Sequence, residues 1–458
     1  MYTARLSGAF LILLLAACGG EPHDEATQAS SYASTYTPAA TEAVAIVNAT
    51  ALTGTGERID AATIVMMDGR INAVGADLAP PRGAIVVDAA GKWVTPGIID
   101  VHSHLGVYPS PSVAAHSDGN EMVDPNTAQV WAEHAVWPQD PGFALALAGG
   151  VTTLQVLPGS ANLFGGRSVT LKNVSSRTMQ GMKFPGAPYG LKMACGENPK
   201  RVYGTGKGSA PMTRMGNVAG YRDAWIKAAA YQKKWETFAE NGGEEPERDL
   251  QLETLAGVLD GEILVHNHCY RADEMAVMLD VAREFGYQVT AFHHAVEAYK
   301  IADLLAESGT CAAVWADWWG FKVEAFDAVR ENAAMVDAAG ACAIVHSDSG
   351  TGIQRLNQET AKIMASARRS GWAVTPERAI VWITANAAAA LGVGDQTGTL
   401  EAGKMADVVI WDGNPFSVYA RAEQVYIDGV LTFDRSDPEI APQSDFLLGL
   451  NVEGGSGQ

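Results

Sequence analysis

Apolar residues recur with two different spacings, which divide the chain into a strand-rich part and a part of mixed strands and helices. Both ends of the chain contain short apolar runs with strand-type alternation, separated by Gly, Asp and Pro. These runs predict strands at residues 45–51, 62–67, 71–74, 84–88, 425–428 and 429–433. Because the pattern stops near residue 94 and returns near residue 398, we expect the two chain ends to contribute similar β structure.

The central part of the chain alternates strands with helices. The strands are predicted at residues 98–102, 151–157, 168–174, 189–195, 263–268, 289–294, 311–316 and 342–347. Helical periodicity follows several of them, at residues 273–285, 297–308 and 354–369. Eight strands with intervening helices are typical of a parallel α/β sheet. The longer stretch 219–259 predicts an additional helical excursion over the sheet.

Composition and charge limit the classes of partner. The chain has 458 residues, 47% of them hydrophobic and 18% charged, which is an ordinary globular balance. An α/β barrel can use most of such a length as one domain. The formal charge of −20 repels phosphates, so nucleic-acid binding is not expected. A small-molecule substrate is the expected partner, and a homo-oligomer is expected.

The N-terminus is predicted to be a leader rather than part of the fold. Residues 6–17 are apolar but too few to span a bilayer permanently, which is typical of a secretory signal. The segment Leu15-Ala-Ala-Cys18 resembles the bacterial lipoprotein processing box. That resemblance implies a signal peptide at 1–17, lipidation of Cys18 and a tether at 18–43. It also implies anchoring at the periplasmic face of the outer membrane, because Gly19 follows the cysteine. Plain secretion is the alternative.

Four further cysteines lie in or beside predicted strands: Cys195, Cys269, Cys311 and Cys342. A periplasmic location would permit disulfides. The four show no paired spacing and no metal-binding Cys-x-x-Cys motif, so we expect small buried thiols.

The strongest chemical signal is the segment Thr95-Pro-Gly-Ile-Ile-Asp-Val-His-Ser-His. His102 and His104 are two residues apart on a strand and therefore point to the same face. At the C-terminal end of a barrel strand, both imidazoles can ligate one metal ion. An isolated His-x-His is weak evidence, but the preceding Pro-Gly-Ile-Ile-Asp makes the motif more specific.

With that motif, the chain resembles the amidohydrolase superfamily over roughly residues 44–433. Two later segments carry the same resemblance: Thr384-Ala-Asn-Ala-Ala-Ala-Ala-Leu-Gly and Leu400-Glu-Ala-Gly-Lys-Met-Ala-Asp-Val-Val-Ile-Trp-Asp. The resemblance is closest to the branch of imidazolonepropionase and the proline dipeptidases. It implies an α/β fold, a (β/α)8 TIM barrel at 95–395 that binds metal. A small β-sandwich domain would be built from both chain ends, at 44–94 and 396–440, before a tail at 441–458.

The resemblance also implies the other metal ligands, strand by strand. His266 matches the ligand of the fifth strand, and His268 could support it or act in catalysis. On the sixth strand, the ligand precedes the segment Ala-Val-Glu-Ala-Tyr, which selects His294 over His293. Asp348 matches the aspartate of the eighth strand, which binds metal and acts as general base.

The fourth strand offers two candidates for a residue that bridges two metal ions. Lys192 resembles the lysine that is carboxylated in this superfamily, and burial would make its amine neutral enough to react. Glu197 resembles the bridging glutamate of other branches. We favour Lys192, and both cannot easily serve because they lie five residues apart along one strand.

These residues predict a metal-dependent hydrolase that attacks a C–N bond of an amide, a cyclic amide or a dipeptide. Imidazole and carboxylate ligands suit one or two divalent transition metals, with zinc the expected ion. A metal-activated hydroxide would attack, and Asp348 would take up a proton and pass it on. A deaminase on the same barrel, using His268 and Glu197, is the alternative. A non-catalytic, lipid-anchored binding protein is the third hypothesis.

Residues after the predicted strands would surround the substrate at the mouth of the barrel. The substrate-binding candidates are Arg201, Tyr203, Tyr270 and Arg271, and Asn198, Lys200, Trp318 and Trp319 lie in the same loops. Arginine suits a substrate carboxylate through its planar fork. For each of these residues, a packing or surface role is an equal alternative.

Overall fold

The computed structural model describes residues 32–437 and 439–440. The predicted signal peptide, Cys18 and the tail at 441–458 lie outside the described residues, so lipidation and the outer-membrane location stay predictions. From Ser34 onward, the predicted tether contacts the fold: the Ser34 hydroxyl donates to the Lys183 carbonyl, and the Tyr36 hydroxyl donates to Asp428.

Sixteen strands are assigned within the described part of the chain. They are β1 (Val44–Leu52), β2 (Arg58–Met67), β3 (Arg70–Ala76), β4 (Ile85–Asp88), β5 (Trp93–Pro96), β6 (Ile98–Ser103), β7 (Val151–Val156), β8 (Phe164–Lys172), β9 (Gly190–Ala194), β10 (Leu264–His268), β11 (Ala291–His293), β12 (Cys311–Val314), β13 (Ala343–Val345), β14 (Val408–Trp411), β15 (Ala422–Ile427) and β16 (Val430–Asp434).

The α-helices of the described residues lie mainly after the barrel strands. They are α1 (Pro141–Leu147), α2 (Glu197–Pro199), α3 (Arg214–Asn241), α4 (Leu250–Leu259), α5 (Ala272–Phe285), α6 (Ala302–Ser308), α7 (Asn332–Ala338), α8 (Leu356–Arg369), α9 (Pro376–Ala379) and α10 (Ala385–Ala390). The predicted helical excursion corresponds to α3 and α4. In the described residues, no helix is both long and apolar enough to cross a membrane.

The eight central strands form one sheet in chain order, from β6 to β13. Residues of β6, β7, β9 and β12 are buried along their full length, as expected for strands that are covered on both faces. The sheet is nearly closed, because the Asp348 amide donates to the His102 carbonyl at 3.0 Å where β13 and β6 end. This architecture fits the predicted TIM barrel.

The third barrel strand differs from the prediction in position and direction. β8 spans Phe164–Lys172 rather than 168–174, and it pairs antiparallel with both β7 and β9. The connection from Val156 to Phe164 is too short for a crossover helix, so the chain can only turn back. The expectation of an entirely parallel barrel was wrong at this strand.

A second sheet combines the two chain ends, as the sequence predicts. Its order is β16-β15-β14-β5-β1-β2-β3, and β4 also pairs with β1. β5 runs directly into β6, so this sheet is continuous in sequence with the first barrel strand. The fully buried Lys172 of β8 forms ion pairs with Asp428 at 2.7 Å and Asp407 at 3.3 Å, which connect the barrel to the terminal sheet.

The four cysteines form two disulfides, which corrects the expectation of free thiols. Cys195 is bonded to Cys269, and Cys311 is bonded to Cys342. Each pair joins neighbouring barrel strands, with Cα–Cα distances of 5.3 and 4.4 Å. The partners are 74 and 31 residues apart because helices intervene. Spacing along the sequence therefore could not reveal a pairing that strand register creates.

Candidate metal centre

The ends of β6 and β13 bring the first three predicted ligands together. His104 Nε2 lies 3.2 Å from Asp348 Oδ1, and His102 Nε2 lies 3.5 Å from the same oxygen. His102 is fully buried, whereas Asp348 keeps a quarter of its side chain exposed. This trio forms one of the two groups in the described residues whose side chains could hold a metal ion.

His294 adds a fourth residue to the trio from the end of β11. Its Nε2 lies 3.7 Å from Asp348 Oδ2. His294 and Asp348 both adopt left-handed backbone conformations, with φ of 58° and 50°, which are uncommon for residues other than glycine. Such conformations persist where the surrounding structure holds them, and they cluster at functional sites.

The three histidines share one arrangement of their ring nitrogens. The Nδ1 atom of His104 lies 2.9 Å from the Leu157 carbonyl, that of His102 lies 2.8 Å from His293 Nδ1, and that of His294 lies 2.9 Å from His346 Nε2. In each ring Nδ1 is engaged, so Nε2 is the nitrogen that faces Asp348. A histidine that ligates a metal through one nitrogen is commonly held through the other in this way.

Lys192 reaches the same place from β9. The side chain is fully buried, with Nζ 3.0 Å from the Pro158 carbonyl and 3.4 Å from His102 Nε2. Burial lowers the pKa of Lys192 to about 7. A substantial neutral fraction near neutral pH is what carboxylation of the amine requires.

His266 and His268 on β10 have different surroundings. His266 Nδ1 is hydrogen-bonded to His293 Nε2 at 2.9 Å, and burial lowers its pKa to about 3. His268 lies beside the rings of Tyr270 and His294, at centroid distances of 4.7 and 4.8 Å. Burial, then the charge of Lys322, holds the pKa of His268 well below its usual range. His268 is therefore a neutral imidazole, the form that binds metal.

A second histidine layer lies next to the ligand trio. His102, His293 and His346 form the other group that could hold a metal in the described residues. His293 bridges His102 and His266 through its two ring nitrogens, at 2.8 and 2.9 Å. Because both nitrogens of His293 are engaged by other imidazoles, His293 is placed to orient the rings of His102 and His266.

The donor set fits a divalent transition metal. Both ring nitrogens of His268, Nε2 of His266 and Nδ1 of His346 are buried without a hydrogen-bond partner in the described residues. Buried polar atoms are normally satisfied, so orphaned imidazole nitrogens indicate a partner such as an ion. Imidazole and carboxylate donors are those that zinc and related ions prefer.

Glu197 is placed away from these ligands. Its backbone amide donates to Glu324 at 2.8 Å, and its carboxylate lies 3.6 Å from Lys322 Nζ. In the described residues, neither metal-binding group includes Glu197. The fourth strand therefore directs Lys192, not Glu197, toward His102.

Of the four substrate-binding candidates, the structure brings only Tyr270 beside the ligand rings. Tyr270 stacks on His294 at a centroid distance of 5.7 Å. Arg271 is partly exposed and forms an ion pair with Asp273, and Arg201 is exposed. Tyr203 is buried, and its hydroxyl can donate to either the Asp124 carbonyl or Asn162 Oδ1, so it is engaged away from the ligand rings.

Several residues at the site were not singled out from the sequence. Trp315 stacks on His294 at 4.3 Å, Tyr108 contacts His104 edge-on, and Lys322 lies 3.9 Å from the Tyr270 ring centroid. Trp315 and Lys322 flank Trp318 and Trp319, which the sequence placed at the mouth. From the sequence, His293 is only an alternative ligand to His294, and its place in the His293-His294 pair is the one sequence signal for a supporting role.

Comparisons with known proteins agree with this architecture. A model of the amidohydrolase family matches residues 93–441. The chain is 32% identical to the amidohydrolase tasK of Hapsidospora irregularis over 382 residues, which are 79% of this chain but 38% of that protein. It is 25% identical to an imidazolonepropionase of Mesorhizobium japonicum over 381 residues, 77% of this chain and 87% of that enzyme.

One solved structure is similar throughout. The crystal structure of an amidohydrolase from Thermotoga maritima MSB8 superposes with a TM-score of 0.79 at 35% identity. The superposition covers 86% of this chain and 100% of that one. The overall fold is thus shared with that amidohydrolase.

Proposed function

This protein belongs to the amidohydrolase family, and we propose that it is a metal-dependent hydrolase of an amide, a cyclic amide or a dipeptide. The observation that carries the proposal is the convergence of three histidine Nε2 atoms on the Asp348 carboxylate, at 3.2 to 3.7 Å. The similarity to imidazolonepropionases supports a C–N bond in a small molecule as the target.

Six residues would hold the metal: His102, His104, Lys192, His268, His294 and Asp348. At β10 we choose His268 because its ring contacts the His294 ring and both of its nitrogens lack a partner in the described residues, whereas His266 offers only Nε2. Lys192 in its carboxylated form would supply oxygen donors next to His102. When bound, one or two zinc-like ions would polarise the scissile carbonyl and acidify water.

Asp348 has the position that a general base needs. It is the one carboxylate of the ligand trio, and its partly exposed side chain is accessible from the mouth. It can accept a proton from the attacking water and return it to the leaving nitrogen. The Tyr270 ring, packed on His268 and His294, forms an adjacent wall of the site.

Metal analysis combined with a substrate screen tests this function. We expect the purified protein to contain one or two equivalents of zinc or a related ion. It should hydrolyse members of a panel of N-acyl amino acids, dipeptides and cyclic amides, and a chelator should abolish the activity. The double variant His102→Ala/His104→Ala should lose both metal and activity while retaining its secondary structure. Hydrolysis by a metal-free double variant would refute the proposal.

A further inference from the structure

A half-buried lysine that the sequence did not single out lies beside the candidate metal centre. Lys322 is in the loop after β12, with 16% of its side chain exposed. Its Nζ lies 3.9 Å from the centroid of Tyr270, whose ring contacts His268 and His294. One aromatic ring therefore separates this cation from the ligand histidines.

The ammonium group of Lys322 retains hydrogen-bonding capacity. It donates to Asn198 Oδ1 at 3.0 Å. The carboxylates of Glu197 and Glu324 lie at 3.6 and 3.8 Å, beyond an ordinary hydrogen bond. Because an ammonium carries three donors, Lys322 can still bind an additional acceptor.

Of the two carboxylates near Lys322, that of Glu324 has other partners. Glu324 forms an ion pair with Arg214 and accepts the Glu197 amide. Arg214 also pairs with Glu274. The Glu197 carboxylate is thus the main anion that competes for Lys322. Burial lowers the pKa of Lys322, so its charge is incompletely compensated and an anionic ligand would stabilise it.

An aromatic surface connects this cation with the ligand histidines. Trp315 stacks on His294 at 4.3 Å and on Trp318 at 4.7 Å. Trp318 and Phe321 are 37% and 56% exposed, although both are large apolar residues. Exposed aromatic residues at the mouth of a site are typical of surfaces that receive the apolar part of a ligand.

We propose that Lys322 is a specificity-determining residue that binds a carboxylate of the substrate. The apolar part of the same substrate would lie on Trp318 and Phe321. This inference rests on the proposed hydrolase function and narrows its substrate class to small carboxylate-bearing amides. Of the two lysines described at this site, Lys192 points to His102 and is fully buried, whereas Lys322 is partly exposed and has spare donor capacity.

Matched substrate pairs test this assignment. N-acyl amino acids and dipeptides are each compared with their C-terminal amides, which lack only the negative charge. For the wild-type protein we expect the acid to have the higher kcat/KM. Lys322→Gln should lower the acid-to-amide ratio about tenfold or more, which is the size of one charge-assisted hydrogen bond. Lys322→Arg should retain most of the preference.

Two further variants make the result specific. Glu197→Gln removes the competing anion, so it should raise the acid-to-amide ratio while leaving metal content unchanged. Loss of metal in that variant would instead assign Glu197 to the metal centre. It would overturn the assignment of Glu197 as the anion that competes for Lys322. Lys227→Gln, on the exposed face of α3, is the matched control and should leave the ratio unchanged.

The assignment of Lys322 and the proposed hydrolase function can fail independently of each other. An unchanged ratio in Lys322→Gln, or a wild-type preference for the amides, overturns the assignment even if hydrolysis occurs. If no pair is hydrolysed, the proposed function fails for these substrates, and tryptophan fluorescence titration with the same pairs measures binding instead. Acid-selective binding that Lys322→Gln abolishes would support the carboxylate site, and equal or absent binding of acids and amides would refute it.

Discussion

His102 illustrates how single residues acquire their role in this protein. Its Nδ1 is held by His293, so Nε2 faces Lys192 and Asp348. His104 and His294 are held in the same way by a carbonyl and by another imidazole. The orientation of each ring is therefore fixed before an ion binds, which reduces the entropy that would be lost when the ligands are ordered.

Replacing Asp348 by Asn should remove the proposed general base. Since acid–base assistance is worth about 10²–10⁴-fold in rate, we expect kcat to fall by that order and KM to change much less. Steady-state kinetics measure this, with metal content determined in the same preparation because Asp348 is also a proposed ligand. His346→Asn, two residues earlier, is the comparison: it removes a ring that holds His294 and not the carboxylate, so it should lower kcat less. Near-normal kcat with metal bound in Asp348→Asn would show that another residue is the base.

The two histidines of β10 should differ in their effect on metal binding. His268→Asn removes a ring whose nitrogens have no other partner in the described residues, so we expect lower metal affinity by one order of magnitude or more. His266→Asn removes a partner of His293 and should weaken binding less. Metal titration against a competing chelator compares the two variants. A larger loss in His266→Asn would restore the ligand assignment made from sequence.

At the scale of elements, the barrel collects its chemistry at the C-terminal ends of its strands. β6, β10 and β11 each end in or just before a histidine that we propose as a ligand, and Asp348 follows β13. The disulfide Cys195–Cys269 joins the ends of β9 and β10, immediately after the strands that carry Lys192 and His268. It therefore ties together two of the strands on which the candidate metal centre depends.

Removing this disulfide should destabilise the protein. The variant Cys195→Ala/Cys269→Ala opens a loop of 74 residues, and loss of a native disulfide typically lowers the free energy of unfolding by about 2–5 kcal/mol. Cys311→Ala/Cys342→Ala, which opens a loop of 31 residues, should lose somewhat less. Denaturant unfolding of both variants measures the difference. Wild-type stability in the first variant would mean that this cross-link does not constrain the unfolded chain.

On the scale of the whole molecule, a buried charge cluster joins the barrel to the terminal sheet. Lys172 of β8 pairs with Asp407, which precedes β14, and with Asp428, which follows β15. Thr397 donates to Asp407, and Tyr36 donates to Asp428. Because these contacts connect segments from both chain ends to one barrel strand, we expect the two sheets to unfold together.

Lys172→Met should therefore be strongly destabilising. It leaves two buried carboxylates without their cation, and breaking a buried ion pair in this way costs about 3–5 kcal/mol. Thermal and denaturant unfolding measure the loss. Lys227→Met, which breaks an exposed pair with Asp223, is the control and should change stability by about 0.5 kcal/mol or less. A small effect in Lys172→Met would show that the carboxylates are readily neutralised.

The sequence by itself determined the features that depend on local pattern. Apolar periodicity placed the eight barrel strands within a few residues, and it assigned short strands to both chain ends, because burial on one or two faces dictates that periodicity. Spacing of two residues put His102 and His104 on one face. The resemblance to amidohydrolases added Lys192, His294 and Asp348, which the structure brings next to His102.

Only the tertiary structure decided which distant residues meet. The pairing of Cys195 with Cys269, the turn of β8 against its neighbours and the contact of Lys322 with Tyr270 all depend on strand register and loop closure. The same holds for Glu197, which faces Lys322, and for His293, which bridges two other histidines. Such contacts join residues tens to hundreds of positions apart, where local periodicity carries no information, so they emerge only once the barrel closes.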